Sequence, residues 1–212
     1  MQARFALCIL TIILARLAGA QSDSVVYKPE NPPADGVYQT YFDFRHNKAI
    51  LKEDIVLKAD PEQLDYVGKA MEKDKLVYRV QNSEYSMATK DVWGYVQNGT
   101  FYLNYLGKFY RVPVFGAISY LVAMVEVKQS GFYDPRFGTY SGSTTTYEQR
   151  EFYLNFYEGR MKELNSADIE KLFSRDQPLY EEYMALSQRK RKEQLYRYIR
   201  KFNENNPVYF LN

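Results

Sequence analysis

Apolar positions change their period several times along the chain. From Phe5 to Leu14 they run almost unbroken. Over DPEQLDYVGKAMEK (60–73), Leu64, Val67 and Met71 recur at helical spacing. Asp60 supplies an N-cap there, Pro61 suits the first helical position, and Gln63 completes a capping box. From Lys75 the period becomes two. LVYRV (76–80), YSMAT (85–89), VWGYVQNGTFYLNYLGKFYRV (92–112), AISYLVAMVEV (117–127) and REFYLNFYEGRMKEL (150–164) all predict strands. AISYLVAMVEV is apolar enough to lie centrally in a sheet. DGVYQTYFDFRHNKA (35–49) predicts a short strand or turn and then one or two helical turns. Beyond 164 the helical period returns in SADIEKLFSR (166–175), behind Asn165 or Ser166, and in PLYEEYMALSQRKRKEQLYRYIRKF (178–202). Its apolar stripe lapses between Leu186 and Leu195, which marks either a solvated face or a hinge.

The segment 92–112 carries two hairpin turns. Asn98-Gly99 is the strongest two-residue signal, because both central positions of a type I′ turn need positive φ. Asn98-Gly99-Thr100 is also a glycosylation sequon, but the turn accounts for it. Leu106-Gly107 marks the second turn. Pairing around them opposes Val96 to Phe101, Tyr95 to Tyr102, Leu103 to Tyr110 and Tyr102 to Arg111. One face then carries Val92, Val96, Phe101, Leu103, Tyr110 and Val112. The other carries Trp93, Tyr95, Tyr102, Phe109 and Arg111. The aliphatic face is a core face. The aromatic face is either a second core layer, covered chiefly by the helix at 178–202, or an open platform in which Trp93, Tyr95, Tyr102 and Arg111 bind a ligand. We expect it to be covered, since exposing four aromatics would leave a large apolar patch in water.

Residues 129–149 are rich in Gly, Ser and Thr and predict a long loop, mobile or functional. Residues 21–35 are polar, hold Pro29, Pro32 and Pro33, and predict a flexible tether. Between these features the chain predicts a single α+β domain over 36–212. It would hold a meandering antiparallel sheet of about five to seven strands, with helices, including a long C-terminal one, packed on one face.

The chain of 212 residues begins as an exported protein begins. Arg4, the apolar run and the closing Ala18-Gly19-Ala20 have the order of a cleavable signal peptide over 1–20. The run is too short for a permanent membrane span, and no later stretch is apolar enough for a transmembrane helix in the mature chain. LAGA resembles a lipidation box, but Ala20 stands where the cysteine would be. Localisation is therefore expected to be periplasmic or extracellular. Cys8 is the only cysteine and leaves with the signal, so the mature chain has no disulfide and no thiolate. Arg4 and Arg16 leave with it. Of 28 basic and 26 acidic side chains, 26 of each remain, and that balance speaks against a nucleic-acid partner.

Candidate chemistry is sparse. His46 is the only histidine, so neither a His/Cys metal site nor a Ser-His-Asp triad is spelled out, and FRHNKA places it at a surface turn. Ser187 and Lys190 match S-x-x-K inside a polar helical run, where chance matches are common. Asp168/Glu170 and Glu181/Glu182 are too close in sequence to face each other across a sugar. QRKRKEQ (188–194) fits a solvated helix face better than a binding patch. No phosphate loop or dinucleotide fingerprint appears, so no cofactor, metal or catalytic residue is assigned.

DGVYQTYFDF, KDVWGYVQNGTFYLNYLGKFYRV and PLYEEY…YIRKFNENNP together resemble the blocks of an uncharacterised family of secreted proteins from Gram-negative bacteria, with Phe202 where that family has a tyrosine. The resemblance implies export and a single domain, and adds no mechanism. The expected function is that of a non-enzymatic envelope protein, acting by binding an envelope glycan or protein or as a structural partner. The alternative is a small hydrolase that works on envelope polysaccharide or peptide through carboxylates.

Overall fold

The computed structural model of the chain describes residues 24–27, 32–131, 133–140 and 142–211. The signal read at 1–20 lies outside them. The fold is α+β, with antiparallel sheets and a long C-terminal helix. Strands β1 (Ser24–Val26), β2 (Gly36–Tyr38) and β3 (Ile50–Leu51) flank helix α1 (Tyr41–Arg45), which Thr40 and Asp43 close with a reciprocal capping box. Helix α2 (Tyr66–Met71) is followed by β4 (Lys75–Val80), β5 (Ser83–Ala88), β6 (Gly94–Gln97), β7 (Thr100–Tyr105) and β8 (Lys108–Arg111). Then come β9 (Ile118–Gln129), β10 (Tyr133–Asp134), β11 (Thr139–Tyr140), β12 (Thr144–Asn155) and β13 (Arg160–Glu163). Helices α3 (Ser166–Phe173), α4 (Gln177–Met184) and α5 (Gln188–Asn205) precede β14 (Tyr209–Leu211).

The expected meander is divided among three sheets, of order β4-β5, β3-β2-β6-β7-β8 and β13-β12-β9. Both turns of the 92–112 segment are as expected: Asn98, Gly99, Leu106 and Gly107 all take positive φ. The Asp35 carboxylate accepts from the amides of Asn98 and Gly99 and fixes the first turn.

Five expectations are corrected. Part of the supposed tether is ordered, because β1 pairs with β14 and Tyr27 packs edge-on against Phe101 and Phe115. The helix expected from Pro61 starts only at Tyr66. Asp60 accepts from the Glu62 amide in a local turn, Gln63 is held by Lys69, and Leu64 is exposed. The strand expected at the sheet centre, β9, is an edge strand, and β12 is central. The long loop at 129–149 is mostly absorbed into a hairpin in which β9 and β12 pair over twelve residues each, with β10 and β11 near its tip. The helix expected over 178–202 breaks at Ala185–Ser187, the hinge that the lapsed apolar stripe allowed.

Two apolar clusters result. The larger joins Val96, Phe101 and Leu103 of the five-stranded sheet to Leu121, Phe152, Leu154 and Phe156 of the other. The helices close it with Ile169, Phe173, Leu179, Tyr183, Ile199 and Phe202. Leu195, Tyr198, Ile199 and Phe202 recur at helical spacing, so α5 lays one stripe on this core. The smaller cluster gathers Val37, Tyr66, Val67, Met71, Leu76, Val92 and Tyr95, with Tyr102 and Phe109 at its margin. At about 25 cal/mol per Å² of apolar surface, these two clusters are the main stabilising term of the fold.

Candidate functional site

Of the four residues singled out in the sequence, Tyr95, Tyr102 and Arg111 are successive cross-strand partners and Trp93 departs. Tyr95 and Tyr102 lie opposite each other, as the turn required, and their rings stack at 4.5 Å with 5° between planes. Phe109 meets Tyr95 edge-on at 5.2 Å. Trp93 belongs elsewhere: it packs on Phe44 at 4.7 Å and Tyr41 at 5.6 Å, within the larger cluster. Val92, expected on the aliphatic side, takes a place in the smaller cluster. Alternation fails because β6 begins only at Gly94, after a tight turn at Thr89–Asp91. A Cβ at Gly94 would stand 2.6 Å from the Tyr102 carbonyl oxygen, so the backbones approach there as only glycine permits. Arg111 is exposed on the edge strand β8. Trp93 therefore leaves this face, while Tyr95, Tyr102 and Arg111 keep the expected register across β6, β7 and β8.

The aromatic face is covered, but not by the C-terminal helices. Helix α2 and the β4–β5 hairpin lie on it, bringing Val67, Met71 and Leu76. The C-terminal helices meet the three-stranded sheet instead, where Tyr153 Oη donates to Asp168, Tyr196 packs edge-on against Tyr120 and Asn203 holds Ile118. Tyr66 Oη donates to the Ile55 carbonyl (2.8 Å), and the Gly68 amide donates to Gln97 Oε1 (2.7 Å), which pins α2 to the sheet.

Coverage stops short at one end. A cavity of about 690 Å³ opens where α2, the turn before β4, the end of β5 and the β7–β8 turn meet. Tyr95 and Phe109 form its aromatic floor, and Lys73, Lys90 and Lys108 reach its rim beside Glu72 and Asp74. Neither Lys73 nor Lys90 has a carboxylate within ion-pair distance among the described residues. Burial raises the Tyr95 phenol well above the usual tyrosine range, with Tyr102 and Glu72 adding to the effect, so Tyr95 is a neutral hydroxyl here. The lysines escaped sequence reasoning because each sits in or beside a turn, in MEKDKL, TKD and LGK, where charge is ordinary. Phe109 was visible only as one of several aromatics.

A second cavity, about 590 Å³, is lined by Tyr27, Phe115, Pro207, Arg200, Asn203 and Glu204 among others. Its polar wall is largely engaged in holding the fold. The Asn203 amide bonds both the N–H and the C=O of Ile118 at 2.8 Å. Arg200 lies over the Tyr196 ring and donates to its hydroxyl.

The remaining candidates have structural roles. His46 ends α1, its Nδ1 2.8 Å from the Phe42 carbonyl. Ser187 stands at the start of α5, and Arg189 pairs with Glu193 on the solvated face. Asp168 accepts from Tyr153 Oη, Glu170 pairs with Arg191, and Glu182 is held below the usual carboxylate range by Lys201 and Tyr198. No group of three or more His, Cys, Asp or Glu among the described residues is placed to hold a metal. No helix among them is long and apolar enough to cross a membrane. Comparisons with protein-family models, curated proteins and solved structures return no match.

Proposed function

We propose that this is an exported, non-enzymatic envelope protein that acts by binding, and that the cavity over Tyr95 and Phe109 is its binding site. The supporting observation is the composition of that cavity: two aromatic rings below, three lysines at the rim, on a face otherwise sealed by α2 and the β4–β5 hairpin. A concave aromatic floor with a few charged groups above it suits a sugar ring that carries acidic substituents. Titration of the exported protein with acidic and neutral envelope polysaccharides tests this. Acidic polysaccharide should bind and neutral should bind less. The triple variant Lys73→Ala/Lys90→Ala/Lys108→Ala should weaken binding by about tenfold or more, with strong salt dependence in the parent. The three lysines are exposed, so its melting temperature should stay put. Equal affinity in parent and variant would remove the cavity from the account.

Export rests on residues 1–20, and N-terminal sequencing of protein from periplasm or medium should begin at Gln21. An uncleaved cytoplasmic chain contradicts it. A hydrolase acting on envelope polysaccharide or peptide through carboxylates is the second reading, and Glu72 and Asp74 are the carboxylates that line the cavity. Turnover of polysaccharide by the parent, lost in Glu72→Gln, would establish that reading.

A further inference from the structure

The β9–β12 hairpin has a capped edge that becomes bare. The Tyr120 amide donates outward to the Val114 carbonyl, and the Met124 carbonyl accepts outward from Tyr110 Oη at 3.0 Å. Asn203 bonds both main-chain groups of Ile118. Main-chain groups alternate sides along a strand, so the even-numbered residues of β9 face away from β12 and the odd-numbered ones face it. On β12 the Glu151 carbonyl accepts from Leu164 on the side of β13, which gives the complementary parity. Beyond Met124, the outward groups of Glu126 and Lys128 face no other strand, since β12 is the only strand laddered with β9 among the described residues and the bridge to Val114 lies at Tyr120. Such an edge is a template for another strand.

We propose that this edge pairs with a second copy of the chain, β9 against β9 in antiparallel register about Val127. The register follows from parity and charge. Outward residues must oppose outward residues, so even must meet even. Centring on Val127 puts Glu126 opposite Lys128 of the second copy, and Lys128 opposite its Glu126. Each of these positions then exchanges two main-chain hydrogen bonds with the other copy. Glu126 and Lys128 already pair within one strand at 3.4 Å, on exposed side chains. The dimer makes them a square in which every charge has an opposite neighbour both along and across the strands. Val127 meets Val127 at the centre. The corresponding edge of β12 has Glu148 and Arg150 either side of Gln149, but the register about Gln149 would need the outward carbonyl of Glu151, which Leu164 already occupies.

Sedimentation velocity on the exported protein tests this over a concentration series. The parent should associate reversibly to a dimer. Either Lys128→Glu or Glu126→Lys opposes like charges at both positions and should raise the dimer dissociation constant about tenfold or more. The double variant Glu126→Lys/Lys128→Glu restores opposite charges and should bring affinity back near the parent value. All these side chains are exposed, and circular dichroism of each variant should match the parent. A parent that stays monomeric throughout overturns the proposal. So does a dimer whose dissociation constant is the same in all variants, as one built on β12 or on a cavity would be.

Discussion

The two halves of the β9–β12 hairpin share one ladder and differ in nearly everything else. Near the base, Leu121 and Ala123 face Phe152 and Arg150, and Leu121 and Phe152 are buried at the heart of the larger cluster. On the opposite face of this half, Tyr153 reaches Asp168 of α3 and Tyr120 meets Tyr196 of α5. Both faces of the base are therefore covered. Toward the tip, Met124, Glu126 and Lys128 share a face with Tyr147 and Gln149, and that face is open to water. The pairing is equally regular in both halves. What changes is burial, and with it the cost of altering a side chain.

The largest expected effect is at the base. Phe152→Ala removes a ring that is 3% exposed and lies 4.5 Å from Tyr105, and should cost about 3–5 kcal/mol in chemical denaturation. A loss below about 1 kcal/mol would mean that the base is no better packed than the tip. Tyr153→Phe removes the hydrogen bond to Asp168 and should cost about 1 kcal/mol at neutral pH. The same hydroxyl links stability to pH. Burial, then the bond to Asp168, pushes its pKa up to about 12. The folded state thus favours the neutral phenol. That contribution is complete below the unfolded tyrosine pKa of about 10 and is lost as pH rises toward 12. Denaturation between pH 9 and 12 should show a shallower alkaline loss in Tyr153→Phe than in the parent. The smallest effect belongs to the tip. Tyr147 is 58% exposed, with Lys108 over its ring among the described residues, so Tyr147→Ala should change stability by less than about 0.5 kcal/mol. A larger loss would show that something covers the tip.

The same contrast explains what could be read in the sequence. The 92–112 hairpins were legible because Asn98-Gly99 and Leu106-Gly107 fix their turns locally and the facing strands alternate. The base of β12 was legible because Phe152 and Leu154 alternate with polar neighbours. Its tip was not, since a strand bare on both faces has no reason to alternate, and the threonines at 144–146 look like loop. Trp93 was assigned to the wrong side because one close backbone approach at Gly94 interrupts alternation, a fact of packing rather than pattern. The cover of Tyr95 and Tyr102 was foreseen and its source was not. The apolar stripes of the C-terminal helices said only that they needed a core, and two were available. The candidate cavity was half legible: its aromatic floor belongs to the strands, while its lysines meet only when α2 and three turns converge.

The central structural claim is that 124–129 and 144–149 form a paired ribbon with one free edge. Residue-resolved amide hydrogen exchange, on protein dilute enough to be monomeric, measures this directly. The account predicts alternation along β9, with the amides of Ala123, Val125 and Val127 protected by β12 and those of Glu126 and Lys128 exchanging freely. Uniformly fast exchange from 124 to 149 would contradict it and return the segment to a loop.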